Sequence, residues 1–340
     1  MARCRIYLLT YRRDHLLPRA LESLLAQTVT DWVCELHNDD PTNPFPRQLV
    51  ESISDPRITI VDHAENLGAT RTFNLVFQPV AEPFVSLLED DNWWEPDFLE
   101  TLLAAFGQNP SVQIAWTNMR LWQECEDGTW LDTQQTVWAE SSVIQLFDWG
   151  QMQQVRGALH SNGAMMMRSQ SAADYTIPET TPFAPIEAVR ERTFRFPILL
   201  VSKVCANFAI TQSTARASQL TEWAQVQTLL TASFFKHTQT EPEFIQQVWQ
   251  AARSKPARST NGLFFAAFLC KKCRNLLRYA TFADWLFLIA SSLKHPIETF
   301  RSLNAIKVHP EIWQFLDEQT AQRAQEVSDS TPKSIECGVL

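Results

Sequence analysis

Between residues 5 and 88, short apolar runs alternate with segments whose apolar residues recur at helical spacing, and few folds tolerate that alternation. Residues 5–10 read as a strand; Leu16, Leu17, Ala20, Leu21, Leu24 and Leu25 behind them share one helical face. Residues 32–37 read as a second strand, stopped by the turn-rich Asn38-Asp39-Asp40-Pro41-Thr42-Asn43-Pro44. A third strand over 57–62, a helix over 69–77 that opens after Gly68, and a fourth strand over 83–88 complete the pattern. Strands alternating with helices predict an α/β sheet, mostly parallel, with helices on both faces and ligands at the carboxyl ends of the strands. The polar clusters of this chain fall at those ends.

Further along, a helix is expected over 96–108, with proline in its first turn. A strand over 112–116 follows, then a hairpin pairing 119–123 with 129–131 across Glu126-Asp127-Gly128. Residues 158–168 read as β structure and 172–185, with Pro178, Pro182 and Pro185, as a loop. Beyond Thr214 the pattern is helical, with a linker over 254–261. The expected organisation is an α/β domain over 1–215, a helical region over 216–327 and a flexible tail over 328–340.

Composition excludes several classes. With 45% hydrophobic residues and 12 Trp in 340 residues, the chain has too much to bury for a disordered protein. Its net charge of −9 conceals a basic window over 251–310 that holds ten Lys and Arg against Asp284 and Glu298. The acidic remainder would oppose a nucleic acid, so none is expected as a partner. Seven irregularly spaced Cys suit a reducing, cytoplasmic compartment. The apolar stretches at 6–9, 263–270 and 285–290 are too short for a signal-peptide core or a membrane span.

The densest chemistry is Leu87-Leu88-Glu89-Asp90-Asp91-Asn92-Trp93-Trp94-Glu95-Pro96. Three acids directly after an apolar strand repel one another unless a cation joins them. A hard ion, Mn²⁺ or Mg²⁺, takes one or two carboxylates and completes its shell with water and phosphate oxygens, so a diphosphate clamp is one reading. A solvated turn that favours the dipole of the next helix is the other.

The run Glu89-Asp90-Asp91-Asn92-x-Trp94-x-Pro96 resembles the Asp-x-Asp region of family 2 glycosyltransferases with the GT-A fold. Three more stretches resemble that family in order and spacing: Ile6-Tyr7-Leu8-Leu9-Thr10-Tyr11 with Arg19 to Thr28 behind it, Asn38-Asp39-Asp40-Pro41-Thr42, and Glu65-Asn66-Leu67-Gly68 with Arg71 and Asn74. The resemblance covers residues 5 to 123 well and extends loosely to 215. It implies an inverting enzyme that moves a sugar from a nucleotide-diphosphate sugar to the hydroxyl of a saccharide or lipid-linked acceptor, in polysaccharide, glycolipid or glycoconjugate synthesis.

The resemblance also implies roles. Thr10, Tyr11 and Asn66 would line the donor pocket. The acid that holds the base falls on Asn38 in an ungapped reading and on Asp39 after a slide of one; Asp39 is preferred because a carboxylate accepts the imide hydrogen of uracil or thymine better than an amide does, and a UDP-sugar is the favoured donor. Arg71 would approach base or phosphates, or else be a solvated helix residue. Asp90 would face ribose or metal, Asp91 would be the direct ligand of Mn²⁺ or Mg²⁺, and Glu89, where many relatives carry Asp, a weaker one. Glu187 would be the catalytic base, with Glu191, Glu179 and Asp174 as alternatives. A nucleotidyltransferase would want a glycine-rich loop, which the sequence lacks. An inactive scaffold that keeps the fold is the non-enzymatic alternative.

Trp93 and Trp94 invite sugar stacking, although Trp94 matches a position that packs beneath the metal loop; His160 would contact acceptor hydroxyls or serve structure. Cys270-Lys271-Lys272-Cys273 lacks a second pair for zinc, and Cys337-Gly338-Val339-Leu340 is a poor prenylation box. Over 263–279 one basic helix is expected, with Lys271, Arg274 and Arg278 on one face among Phe264, Phe265 and Phe268. Residues 263–293 would then touch the inner face of a membrane peripherally, or pack against the catalytic domain or a second copy of the chain.

Overall fold

The computed structural model describes residues 2–212, 220–254 and 258–330. The chain divides into two units, one formed by 1–148 with 158–220, the other by 149–157 with 221–340.

The first unit is built on a ten-stranded sheet of order β3-β2-β1-β4-β9-β6-β10-β5, with β7 beside β6 and β8 beside β10. Its first half is parallel: β1 (Cys4–Thr10) lies between β2 (Trp32–Asn38) and β4 (Phe84–Glu89), and β3 (Ile58–Asp62) extends β2. The second half is mixed. β9 (Met165–Arg168) runs antiparallel between β4 and β6 (Ile114–Glu124), while β10 (Ile198–Ile210) is parallel to β6. β6 forms the expected hairpin with β7 (Trp130–Thr136), and the short β5 (Trp93–Trp94) and β8 (Ile144–Phe147) pair antiparallel with β10. Beta structure expected from 158 begins only at Met165, because Asn162–Ala164 form a 3₁₀ turn.

Helices α1 (Leu17–Leu25), α2 (Phe45–Ile53), α3 (Ala69–Asn74), α4 (Phe98–Gln108) and α5 (Ile186–Arg190) accompany the sheet. The stripe read from sequence is the buried one in α1: Leu17, Ala20, Leu21 and Leu24 enter the core beside Ile6, Leu8, Trp32 and Leu36. Each fully buried leucine there contributes about 1.5–3 kcal/mol. β1 is the central element, since its register sets Leu9 opposite Glu89 and Thr10 opposite Asn38. The carboxyl ends of β1, β2 and β4 therefore lie side by side, and each continues into a motif-bearing turn.

The second unit is helical: α6 (Leu220–His237), α7 (Pro242–Ser254), α8 (Asn261–Leu269), a 3₁₀ helix at Lys271–Tyr279, α9 (Phe282–Lys294), α10 (Pro296–Leu303), α11 (Ala305–Val308) and α12 (Pro310–Ser330). Trp249, Phe264 and Leu276 are buried together, with the Trp249 indole N–H donating to the Leu276 carbonyl at 3.1 Å. The single basic helix expected over 263–279 is not formed. The chain leaves the helical conformation at Cys270 (φ −126°, ψ 121°), and Phe264 and Phe265 are core residues rather than surface ones. Cys273 is also buried and its thiol donates to the Ala232 carbonyl, a packing role. The expected linker over 254–261 lies partly outside the described residues, as do residues 331–340 of the expected tail; its start at 328–330 belongs to α12.

Candidate active site

At the end of β1, the Thr10 hydroxyl donates to Asp90 Oδ2 at 2.8 Å and the Tyr11 backbone N–H donates to the same oxygen at 3.2 Å. Arg13 donates to Asp90 Oδ1 at 3.2 Å and to Asp91 Oδ2. Thr10, Tyr11, Asp39, Asn66, Glu89 and Asp90 line one cavity of about 490 Å³, closed further by Arg12, Arg13, Phe73 and Phe183. A larger groove of about 1140 Å³ lies between α4 and β10 and contains none of the predicted residues, so its size gives it no claim on the chemistry.

Asp39 is held on three sides. Its Oδ1 accepts from the backbone N–H of Leu67 at 2.7 Å and from His63 Nδ1 at 3.0 Å, and its Oδ2 from the N–H of Gly68 at 3.1 Å. Gly68 sits at φ 78°, in the left-handed region open to glycine, which lets the Leu67-Gly68 turn present both amides to one carboxylate. Behind His63, its Nε2 stands 2.9 Å from His37 Nδ1, and His37 Nε2 lies 2.8 Å from Glu35. Two neutral imidazoles bring two ring hydrogens to three contacts, so the complete chain from Glu35 to Asp39 requires one more proton. Burial pushes the His37 pKa down, against the pull of Glu35.

Asn38, the other candidate for the base contact, is a turn-holding residue. Its amide donates to the Asn43 carbonyl and to Asp62, and its oxygen accepts from the Asp40 N–H. Arg71 is 43% exposed at its side chain, pairs loosely with Glu65 and Glu179, and is not among the cavity's walls.

The acid turn is compact. Burial first, then Asp91 and Glu187, push the Glu89 pKa well up. Burial raises Asp90 to about 7 against the opposing guanidinium of Arg13. Arg19 donates to the Asp91 carbonyl at 2.9 Å and lies between the Trp93 and Trp130 rings at 3.7 and 4.1 Å, which braces the turn from outside. Trp94 is buried, stacks on Phe98 at 4.0 Å and donates its indole N–H to the Gly163 carbonyl, so it packs beneath the turn.

Among the described residues, no three His, Cys, Asp or Glu side chains group as ligands of a metal ion. The oxygen donors present suit a hard divalent cation, since Asp91 and Glu89 are carboxylates on one turn. Arg13, bound to Asp90 and Asp91, competes for the same charge.

Glu187 lies in α5. Its Oε1 accepts from the Asn162 N–H at 2.7 Å and more distantly from the Ser161 hydroxyl, and it is near enough to Glu89 to raise that residue's pKa. The alternatives differ from it. Glu191 is fully buried and accepts from Leu159 N, His160 N and His160 Nδ1. Glu179 and Asp174 are exposed, near Arg71 and Arg195 respectively.

The residues that sequence reading missed are Arg13, Arg19, His63 and His37. For Arg13 a usable signal existed, a cation three residues beyond the first strand and so at the same sheet end as the acid cluster. Nothing in the local sequence marks His63 as a partner of Asp39; the pairing of β2 with β3 brings them together.

A parallel sheet with its strand ends around one donor-sized cavity, an acid turn after the fourth strand and a mixed second half define the GT-A class of α/β proteins. Solved structures agree on the fold: S. aureus TarS 1-349 in complex with UDP-GlcNAc superposes with a TM-score of 0.56 at 11% identity, covering 97% of this chain and 91% of that one. The form crystallised without that complex gives 0.53 over the same shares. The family model described as "Glycosyl transferase family 2" matches residues 6–171 of this chain. The Escherichia coli (strain K12) protein named "Putative colanic acid biosynthesis glycosyl transferase WcaA" is 31% identical over 100 residues, 29% of this chain and 36% of that protein. The uncharacterized protein y4gI of Sinorhizobium fredii is 25% identical over 105 residues, 30% of this chain and 12% of its own length. The matched segment thus spans little more than a third of the first relative and far less of the second.

Proposed function

We propose that this chain is an inverting glycosyltransferase that moves a sugar from a nucleotide-diphosphate sugar to an acceptor hydroxyl. The observation that carries the reading is the convergence of Thr10, Asp39 and Asp90 on one cavity, with Glu187 beside the acid turn. Among the described residues Asp39 Oδ2 accepts one hydrogen bond, from Gly68, which leaves acceptor capacity for the imide hydrogen of a uracil and favours a UDP-sugar. Arg12 and Arg13 supply positive charge to a diphosphate in the same cavity. Glu187 takes the acceptor proton as the hydroxyl oxygen bonds to the anomeric carbon from the side opposite the leaving diphosphate; the carbon–phosphate-oxygen bond breaks, and the anomeric configuration inverts. Asp91, with Glu89, would hold Mn²⁺ or Mg²⁺, which when bound neutralises charge on the leaving group.

The name of the Escherichia coli relative supports a role in polysaccharide synthesis, with a saccharide or lipid-linked acceptor. A cytoplasmic location is part of the same proposal. Isothermal titration with UDP, with and without Mn²⁺, followed by product detection from a panel of nucleotide sugars, tests it. Absence of both nucleotide binding and turnover would reject it. Arg13 on Asp91 favours one second reading, an inactive scaffold that retains the fold; nucleotide binding without hydrolysis or transfer of any donor would support that instead.

A further inference from the structure

The helical unit exposes an apolar stripe that its own core does not use. Phe282, Leu286, Ile289 and Leu293 recur at i, i+4, i+7 and i+11 along α9, so they share one face, and Phe282 and Leu293 are 78% and 79% exposed. The opposite face is engaged: Leu288 and Asp284 are buried, and the Trp285 ring contacts that of Phe264 at 4.5 Å. α10 follows directly and exposes Ile297 and Phe300, 66% and 68% accessible. Scattered single exposed apolar residues need no explanation, but a continuous face of aromatic and branched side chains does.

The charges around the stripe are predominantly positive, and the cations are unspent. Lys271, Lys272, Arg274 and Arg278 precede it, all exposed, and Lys294, Arg301 and Lys307 are interleaved with it. None of these seven forms an ion pair among the described residues. The acid within α9, Asp284, is buried and bound by Arg253 and Arg258, which turns its charge inward; Glu298 is the remaining acid over 271–308. Apolar side chains flanked by free cations match an interface whose outer layer is phosphate and whose inner layer is acyl chain. A two-fold pairing of the face with its copy would instead set these cations against each other.

We infer that the α9–α10 face docks on the surface of an anionic lipid bilayer. Lying on the bilayer follows from dimensions: α9 has 13 residues, about 20 Å at 1.5 Å per residue, against a hydrocarbon core of about 30 Å. No single helix among the described residues is long and apolar enough to cross, and the basic 3₁₀ helix meets α9 at 116°, a bend unlike a continuous span. The inference rests on the helical unit alone and is independent of the transfer reaction.

Co-sedimentation of the full chain with vesicles tests it, using neutral phosphatidylcholine against phosphatidylcholine mixed with phosphatidylglycerol. Partitioning at least tenfold higher into the anionic vesicles, weakened by high salt, is expected. The double substitution Phe282→Ser with Leu293→Ser, at positions that contribute little to the core, is expected to lower anionic-vesicle binding at least tenfold with the circular dichroism spectrum unchanged. Lys294→Glu with Arg301→Glu is expected to abolish the preference for anionic over neutral vesicles. Equal binding to both vesicle types, or binding that survives both doubles, would overturn the inference. So would sedimentation velocity showing a self-associated chain that the serine variants make monomeric, because the face would then be covered by a second copy.

Discussion

Gly163 and Glu89 approach so closely that a Cβ placed on the glycine would lie 2.9 Å from the Glu89 Oε2, and equally near the Asn92 amide nitrogen. The hydrogen bond from that amide to Glu89, at 2.8 Å, leaves neither group an easy retreat, and Asn92 is also fixed by accepting the Ala209 N–H. This contact joins the acid turn to the segment that supplies Asn162, the backbone anchor of Glu187. Gly163→Ala is expected to destabilise the protein by about 1–3 kcal/mol through overpacking. It should also lower turnover, because the acid turn shifts. A thermal melt paired with a steady-state assay checks both.

Nucleotide affinity should depend on Asp39 and on the histidine behind it. Asp39→Ala removes the expected base contact and strands the Leu67 and Gly68 amides, so UDP affinity is expected to fall about tenfold or more. His63→Gln, which keeps Leu67 and Gly68 on the carboxylate, should fall by less. Calorimetry at pH 7.5 separates the two.

The buried His37 gives a pH signature with a definite sign. Its folded pKa lies below the ordinary histidine value, so the unfolded chain binds the proton first as pH falls. The contribution of His37 is therefore held above the ordinary value and lost as pH drops through it toward the folded value. His37→Gln is expected to flatten the fall in melting temperature between pH 7 and 5; an unaltered slope would remove His37 from the account.

Arg13 and a divalent ion compete for Asp91. Arg13→Gln is expected to strengthen Mn²⁺ binding while weakening UDP binding in EDTA, since the diphosphate loses a cation. Asp91→Ala should abolish any dependence of UDP binding on Mn²⁺. Unchanged metal dependence in that variant would exclude Asp91 as the ligand.

Glu187→Gln should keep donor affinity and lose turnover about 10²-fold or more, as expected for removal of a general base. Full activity would move the base elsewhere.

In the helical unit, Asp284 is a stability element. Burial raises its pKa, yet hydrogen bonds from Arg253, Thr281 and Arg258 together hold the carboxyl far below the usual range. Its contribution is thus complete at neutral pH and declines as pH falls below the ordinary carboxylate value. Asp284→Asn leaves two guanidinium groups without their counter-charge and should cost about 3–5 kcal/mol, read from the melting transition at pH 7.

The sequence was informative where a residue's role is local. The stripe of α1, the apolar runs of β1 to β4, the Asp-Gly hairpin and the acid triplet each declare themselves within a few neighbours, because helical and extended periodicities are properties of short windows. Roles that depend on a partner far along the chain did not. Asn38 and Asp39 are adjacent and both polar; only the register of β2 between β1 and β3 turns Asp39 into the cavity and Asn38 toward Asp62. Glu187 and Glu191 share one charged helical pattern, and burial alone tells a half-buried glutamate beside the acid turn from one enclosed with His160.

The basic C-terminal segment shows the same division. The sequence determined that cations and aromatic residues are concentrated over 251–310, a matter of composition. Tertiary structure decided which of them face outward: Phe264 and Phe265 went into the core, while Phe282, Leu286, Ile289 and Leu293 stayed in solvent. Hydropathy ranks these residues alike, and what separates them is whether another element packs over them, a quantity no single segment contains.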